Sequence, residues 1–366
     1  MSRRHKTAQR MLLEEDAESS AGWSRVEVPA VESLLAECPV VPAARVGVLT
    51  VGRGQLAREL AGRWPAASIE CLVLDSFQAA LVREGGEVPA NLQIGCAADW
   101  VAGPYDLIYA PLRRRESAEL NRDLVQSAFV HLKPGGELLV GVDSQSHPAL
   151  LEELREWTRP VECQVEPRGS VFRLKKANEL KRVREFRAEV VYRDAERLLR
   201  LYTRPGVFAH RQLDPGARQI LKAVVVHSGQ RILDLGCGSG AIAIGLAARD
   251  ASLDVWAVDS HARAVEATRI AAERNELRNL QVVLSHTADV PGAGSFDLVT
   301  ANPPYFANFE IARRFLDGAV RALRPGGECL LVTKLPGWYR EHAAQWLAEV
   351  EVWSSGHYHL VRGRKP

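Results

Sequence analysis

The sequence predicts an α/β protein made of two tandem domains, each with a mostly parallel sheet covered by helices on both faces. Three observations predict this architecture. Short apolar runs alternate with helical patterns along both halves of the 366-residue chain. A glycine-rich turn follows the first apolar run of each half, near residues 52 and 236. The second half also repeats the first, block by block, as expected for a duplicated domain.

The repeat keeps its order across four separate blocks of sequence. Matching residues lie 184 positions apart in the first two blocks and 191 apart in the last two: Gly52 and Gly236, Asp75 and Asp259, Asp106 and Asp297, Pro134 and Pro325. One insertion of seven residues in the second copy reconciles the two offsets. The chain is therefore expected to contain two copies of one domain.

Five apolar runs in the second copy predict strands, with helices between them. The strands are expected at Arg231–Leu235, Asp254–Asp259, Leu280–Leu284, Phe296–Ala301 and Glu328–Thr333. The Pro-Gly-Gly sequence at 325–327 is expected to stop the last helix and turn the chain into the last strand.

The segment between the copies is basic. Residues 168–204 contain twelve Lys or Arg against five acids, a balance of +7 where the whole chain has +2. One interpretation is a solvated helical linker with Glu–Arg pairs. The other is a surface that follows a phosphate backbone. We expect a degenerate domain over 1–165, a basic linker and the start of the second domain over 166–200, and a catalytic domain over 201–366.

Composition excludes several classes of protein. The chain is 46% hydrophobic and 25% charged, which is ordinary for a globular protein. None of its six cysteines forms a CxxC pair, so no metal site is expected. The N-terminus has no secretory pattern, and no apolar run approaches the roughly 20 residues of a membrane helix. We expect a cytoplasmic protein that does not enter a membrane.

The glycine-rich turn of the second copy predicts a nucleoside site. It reads GxGxG, whereas a dinucleotide fold reads GxGxxG, so the spacing favours a nucleoside without a pyrophosphate. An acid at the end of the next strand can hold ribose hydroxyls, and the pairing indicates S-adenosylmethionine. The expected cofactor-binding residues are Asp234, Gly236, Cys237, Gly238, Gly240, Asp259 and Ser260. After the third strand, His286 is either an adenine contact or an exposed loop residue.

The quartet Asn302-Pro303-Pro304-Tyr305 follows the fourth strand and predicts methyl transfer to a planar amino nitrogen. The lone pair of such a nitrogen is conjugated and weakly nucleophilic, so it must be held close to the methyl donor and in line with it. The Asn302 side-chain oxygen and the Pro303 carbonyl can each accept an N–H. The prolines fix the turn and have no competing N–H, and Tyr305 offers a face for a splayed-out base.

Residues 201–364 resemble the bacterial ribosomal RNA guanine-N2 methyltransferases of the RsmC/RlmG type. The most specific similarity is the TRPGVF stretch at 203–208, followed by LDPG at 213–216. The resemblance implies two Rossmann-like class I methyltransferase domains with seven-stranded sheets, the first one degenerate. It also implies that Phe208 and Asp214 lie near the cofactor. The family usually has His after its NPPF motif, whereas Phe306 follows Tyr305 here.

The first copy keeps the scaffold of the second but not its chemical groups. Its glycine loop lacks the third glycine and has Arg53 in the turn, and Ala110-Pro111-Leu112 replaces the quartet. We expect that residues 1–165 bind no cofactor, cover the catalytic half and help to hold RNA. The arginines at 113–115 suit either phosphate contact or a solvated loop.

The expected partner is ribosomal RNA or a ribosomal subunit, and the chain is expected to be a monomer. Three alternatives remain open from the sequence. The same NPPY motif occurs in protein-glutamine and adenine-N6 methyltransferases. The fold could also be vestigial, in an RNA-binding assembly factor. An NAD-dependent oxidoreductase is the third, but the loop spacing and the absence of a hydride-site acid or base disfavour it.

Overall fold

The structure of the protein, a computed structural model, describes residues 29–114, 116–287, 289–304 and 309–366. The strands in these ranges form two seven-stranded sheets and one two-stranded hairpin. The chain divides into two units, with the boundary between Arg187 and Ala188.

The first unit alternates strands and helices up to the fifth strand and then adds two more strands. Its elements are α1 (Ala30–Ala36), β1 (Arg45–Leu49), α2 (Gln55–Arg63), β2 (Ser68–Val73), α3 (Ser76–Glu84), β3 (Leu92–Cys96), β4 (Tyr105–Leu112), α4 (Ala118–His131), β5 (Leu132–Val142), α5 (Pro148–Trp157), β6 (Val161–Glu166) and β7 (Gly169–Lys175). Its sheet has the order β3-β2-β1-β4-β5-β7-β6. The first five strands are parallel, and β7 is antiparallel to both β5 and β6.

The second unit opens with a hairpin and then repeats the same plan. Its elements are β8 (Ala188–Asp194), β9 (Arg197–Thr203), α6 (Pro215–Ala223), β10 (Arg231–Leu235), α7 (Ala241–Arg249), β11 (Asp254–Asp259), α8 (Ala262–Arg274), β12 (Leu280–Leu284), β13 (Phe296–Ala301), α9 (Glu310–Ala322), β14 (Leu323–Thr333), α10 (Pro336–His342), a 3₁₀ turn (Ala343–Gln345), β15 (Ala348–Ser355) and β16 (Tyr358–Arg364). The sheet order is β12-β11-β10-β13-β14-β16-β15, which matches the first sheet strand for strand. The predicted fold class is confirmed.

The central strand β10 shows why helices cover both faces of the second sheet. Ile232 and Leu233 are each fully buried but lie in different core clusters, because successive side chains of a strand point to opposite faces. Ile232 packs in the cluster that includes Ile220 of α6 and Ile244 of α7. Leu233 packs in the cluster that includes Leu316 of α9. A strand buried on both faces carries apolar residues at successive positions, as Ile232 and Leu233 show here.

The predicted strands of the second copy have the expected bounds except for the last. Strand β14 begins at Leu323, directly after α9 ends at Ala322. The Pro-Gly-Gly sequence therefore lies inside the strand, where the pairing with β13 shifts register between Phe296 and Leu298. Pro325 follows the C-cap Leu323 by two residues, a position at which proline prevents the helix from continuing.

The register of the repeat differs from the one predicted by two residues. The first pair of each ladder is Arg45 with Ser68 in one sheet and Arg231 with Asp254 in the other, an offset of 186. Gly54 and Gly240, also 186 apart, both cap a helix in a left-handed conformation. Gly52 thus corresponds to Gly238 and not to Gly236. The later blocks keep the offset of 191, so the insertion is five residues between these positions, not seven.

Residues 166–200, expected as a linker, contain strands in both units. Strand β7 belongs to the first sheet, and β8 and β9 form the hairpin that opens the second unit. Nine of the twelve cations at 168–204 have a hydrogen bond or an ion pair among the described residues; the other three are Lys181, Arg182 and Arg193. Several partners, including Glu37 and Glu153, lie outside the segment, so its +7 balance overstates its free positive charge.

In the part of the chain that the structure describes, no helix has the length and the apolar character needed to cross a membrane.

Candidate active site

Three segments of the second unit meet at one edge of its sheet. The glycine loop joins β10 to α7, Asp259 ends β11, and Asn302 directly follows β13. The strands β11, β10 and β13 are parallel neighbours, so their carboxyl ends lie side by side. Ligands of open α/β sheets bind at this edge.

The glycine loop is held in a left-handed conformation that favours glycine. Gly236, Gly238 and Gly240 have φ values of 74°, 55° and 80°. A Cβ atom at Gly236 would lie 2.8 Å from the Phe315 ring, and one at Gly240 would lie 2.8 Å from Thr268. At Gly238 the nearest atom would be the Phe208 Cβ at 3.7 Å. The loop is therefore packed against the protein at its two ends and has more room at its centre.

The Asp259 carboxylate lies against this loop. One oxygen accepts the Gly238 N–H at 2.8 Å, and the other accepts the His261 N–H at 2.8 Å. The side chain is partly buried, as is Ser260 beside it. These two hydrogen bonds fix the Asp259 carboxylate next to Gly238, where the loop has more room.

The side chains of two of the expected cofactor-binding residues, Asp234 and Cys237, are buried. Asp234 is completely buried, and its oxygens accept the Thr300 hydroxyl at 3.0 Å and the Ala243 N–H at 3.2 Å. Burial raises the pKa of this carboxyl to about 7. Cys237 is also buried, and burial raises the pKa of its thiol well above the usual range. Both side chains support the loop from inside rather than lining a pocket.

The TRPGVF stretch at 203–208, which carries the family resemblance, is bonded to α8. Arg263 is fully buried and donates to the Pro205 carbonyl at 2.9 Å. Arg204, also buried, forms an ion pair of 2.8 Å with Glu266. Phe208 is 49% exposed, and its Cβ lies near Gly238. An exposed aromatic ring is thus held beside the loop by two buried arginines that the sequence analysis did not single out.

Asn302 and Asp214 are directly bonded. The Asn302 Nδ2 donates to Asp214 Oδ2 at 2.7 Å, and the same oxygen accepts the Ala217 N–H at the start of α6, also at 2.7 Å. The Asn302 Oδ1 is buried and has no hydrogen-bond partner among the described residues. Pro303 is buried and Pro304 partly buried. Tyr305 lies outside the described residues.

His286 is exposed in the loop after β12. The Arg321 guanidinium donates to the Thr287 carbonyl at 2.8 Å, which ties this loop to α9. No described contact assigns His286 to the site. Its role as an adenine contact stays a prediction.

The corrected register shows what the first unit has at the equivalent positions. Val48, Thr50 and Val73 correspond to Asp234, Gly236 and Asp259. By the offset of 191, Pro111 corresponds to Asn302, and it pairs with Gly141 inside β4. Neither the acid of the glycine loop nor the amide after the fourth strand is present.

A carboxylate of the first unit occupies its own glycine loop. Glu32 of α1 is completely buried, and Oε1 accepts the Thr50 hydroxyl at 2.7 Å, the Val51 N–H at 3.0 Å and the Gly52 N–H at 2.9 Å. Arg113 donates to the Val51 carbonyl from the other side. The backbone groups that would face a ligand are thus satisfied internally. Arg115 lies outside the described residues.

The fold and the loop geometry of the second unit define a class I methyltransferase domain. Residues 198–362 match the family model described as methyltransferase small domain. This match agrees with the methyltransferase domain predicted from the sequence.

The similar curated proteins are ribosomal RNA methyltransferases. The large subunit methyltransferase G of Aeromonas hydrophila is 32% identical over 139 residues, covering 36% of this chain and 37% of that protein. The small subunit methyltransferase C of Citrobacter koseri is 33% identical over 138 residues, covering 37% of this chain and 40% of that protein. The matched region thus spans less than half of these relatives.

The solved structures similar to this chain include the 16S rRNA N2 methyltransferase of T. thermophilus in complex with AdoMet and guanosine, which matches both units. It is 23% identical, has a TM-score of 0.77 and covers 94% of this chain and 93% of that one. The match supports the two-domain fold over nearly the whole chain.

Proposed function

We propose that this protein is an S-adenosylmethionine-dependent N-methyltransferase that acts on the exocyclic amino group of a guanine in ribosomal RNA. The observation that carries the proposal is the buried Asn302 Oδ1. It is an acceptor with no donor among the described residues, at the sheet edge that also holds the glycine loop and Asp259. A buried acceptor without a partner is costly, and an amino N–H of a substrate would satisfy it.

The residues at this edge fit S-adenosylmethionine. Gly238 leaves room at the centre of the loop, Asp259 offers a carboxylate suited to ribose hydroxyls, and Phe208 offers an apolar face. When bound, the cofactor supplies an electrophilic methyl group on a sulfonium. The GxGxG spacing of the loop, where a dinucleotide fold reads GxGxxG, favours this nucleoside over a dinucleotide.

The residues of the chain bind and orient the target nitrogen. The Asn302 Oδ1 and the Pro303 carbonyl each accept one N–H, which fixes the amino group so that its lone pair faces the methyl donor. A new N–C bond forms as the S–C bond breaks, and one amino proton then leaves to solvent. No general base is required before the transfer. Tyr305 is proposed to stack on the base.

The choice of guanine in ribosomal RNA rests on the relatives. The curated proteins similar to this chain are named as ribosomal RNA methyltransferases, and the solved structure similar to both units is described with guanosine. The basic cations that lack a described partner, Lys181, Arg182 and Arg193, are candidates for phosphate contact. We propose ribosomal RNA or a ribosomal subunit as the partner.

The experiment is to replace Asn302 with alanine and measure methyl transfer to ribosomal RNA from cells lacking this protein, with mass-spectrometric mapping of the product. We expect the variant to bind cofactor normally and to lose activity by about 100-fold or more, since one preorganised polar contact to the reacting group is removed. Release-factor protein and adenine-containing DNA serve as alternative substrates. Unaltered methylation by Asn302→Ala, or methylation of only an alternative substrate, would contradict the proposal.

A further inference from the structure

The hydrogen bonds around Asp214 have a direction that fixes the orientation of the Asn302 amide. The Asp214 Oδ2 accepts from the Ala217 N–H and from the Asn302 Nδ2, each at 2.7 Å. The side chain of Asp214 is buried, and it caps the N-terminus of α6. Its oxygen therefore sits between a helix and the amide that follows β13.

A carboxylate can only accept hydrogen bonds, so it selects the amino end of the amide. With Nδ2 held by Asp214, the carbonyl oxygen of Asn302 must point the other way. That oxygen is the buried acceptor without a described partner. If the amide turned over, its oxygen would face the Asp214 carboxylate, and two acceptors would be buried against each other.

Gly216 allows this pair to meet. A Cβ atom at position 216 would lie 2.9 Å from Asp214 Oδ2 and 3.0 Å from Asn302 Oδ1. Gly216 lies in the first turn of α6, where it has no positive φ that would require glycine. The reason for glycine here is the close approach of the two side chains and not the backbone conformation.

We propose that Asp214 is a positioning and specificity-determining residue, which turns the Asn302 carbonyl oxygen toward the target so that the site accepts an N–H donor. An amide turned the other way would offer N–H groups and would favour a carbonyl oxygen of a base over an amino group. Asp214 acts through Asn302 and does not exchange a proton with the substrate. This proposal rests on the proposed function.

The test uses Asp214→Asn and Asp214→Ser in the full chain. Both side chains still cap α6, since Asn and Ser are good N-cap residues. Both also carry a donor, so they no longer exclude the reversed Asn302 amide. We expect kcat to fall about tenfold or more, with KM for RNA, cofactor affinity and the unfolding midpoint little changed. Asp75→Asn is the matched control, because Asp75 caps α3 in the first unit through the Phe77 and Gln78 N–H groups.

A third variant, Gly216→Ala, keeps Asp214 and displaces the pair. The helix propensity of alanine, about 1 kcal/mol better than that of glycine, offsets part of the cost of displacing the cap. We therefore expect a folded variant whose kcat falls by a similar factor. If Asp214→Asn folds poorly, Gly216→Ala decides the question by itself. If the Asp214 variants fold and keep the wild-type kcat, the positioning role of Asp214 is wrong. If they do not fold, a wild-type kcat of Gly216→Ala leads to the same conclusion. Neither result contradicts the proposed function. A wild-type protein that transfers no methyl group to RNA would instead remove the proposed function.

Discussion

Asp234 is a carboxyl group whose surroundings disfavour its charge. It is completely buried, and its pKa is raised from 3.8 to about 7. Burial is the main cause, and the hydrogen bonds from Thr300 and Ala243 oppose it only in part. The neutral form is therefore the one that the folded protein prefers up to about neutral pH.

This shift predicts a loss of stability as pH rises. The pKa of Asp234 is higher in the folded state than in the unfolded state. Its contribution to the free energy of unfolding is therefore fully present below about pH 4 and is lost as pH rises through about 7. At about 1.4 kcal/mol per pKa unit, the loss is at most about 4 kcal/mol. Asp234→Asn, whose amide stays neutral, should lack this dependence. Urea unfolding of both proteins between pH 4 and 8 measures the difference.

The control for this prediction is Asp250→Asn. Asp250 is only partly buried, and the hydrogen bond from the Ser228 hydroxyl lowers its pKa. Its contribution has the opposite sign, because a lowered pKa gives stability that is present at neutral pH and lost in acid. The raised pKa of Asp234 would be contradicted if the wild type and Asp234→Asn differed in free energy of unfolding by the same amount at pH 4 and at pH 8.

At the scale of residues, the sequence locates the site but not the direction of each side chain. The pattern at 234–240 predicts a turn with a ligand edge, and the loop is there. The pattern does not show that the side chains of Asp234 and Cys237 point inward, because a linear sequence does not distinguish inward from outward side chains where a strand meets a loop. The bond between Asp214 and Asn302 joins positions 88 residues apart, and no local pattern could predict it.

At the scale of elements, helix α1 of the first unit supplies a side chain that accepts hydrogen bonds from its neighbouring loop, as a ligand would. The Glu32 carboxylate accepts from Thr50, Val51 and Gly52 while completely buried. Helix α6 contains no acidic residue, so this arrangement exists in one copy only. A buried acceptor that satisfies several loop donors is expected to hold that loop firmly.

Glu32→Ala should therefore destabilise the first unit strongly. The change leaves buried N–H and hydroxyl groups without an acceptor, and each such group costs about 1–3 kcal/mol. Hydrogen exchange of the amides at 51–56 and the free energy of unfolding measure the effect. Glu59→Ala is the control in the same unit, since Glu59 forms an exposed pair with Arg63 and should change stability very little. Equal effects of the two changes would contradict the assigned role of Glu32.

The whole molecule contains two similar sheets but only one set of site residues. We propose that residues 1–165 bind no cofactor, because Val48, Thr50, Val73 and Pro111 stand where the second unit has its acids, its glycine and its amide. Calorimetric titration of the full chain with S-adenosylmethionine should give one equivalent bound. Asp259→Ala should weaken that binding by about 10- to 100-fold, since a charge-assisted hydrogen bond is worth about 1.5–3 kcal/mol. Two equivalents, or binding unaffected by Asp259→Ala, would contradict the proposal.

The duplication itself was readable from the sequence, while its register was not. The first copy has two glycines in the turn, Gly52 and Gly54, and the second has three, so the two loops can be aligned in two ways. Asp75 and Asp259 happen to support the wrong alignment. The hydrogen-bonded ladders decide between the two alignments, because each strand residue has a fixed partner. In the resulting alignment Asp75 corresponds to His261, and these residues directly precede the equivalent helices α3 and α8.

The left-handed glycine shared by Gly54 and Gly240 has a consequence for protein engineering. The first unit still has the backbone turn of a cofactor loop, so what it lacks is a small number of side chains. Restoring glycine at Thr50 and an acid at Val73, together with removal of the Glu32 carboxylate, would reopen that loop without rebuilding the sheet. The first unit is thus a scaffold on which a second, independently chosen nucleoside pocket could be installed.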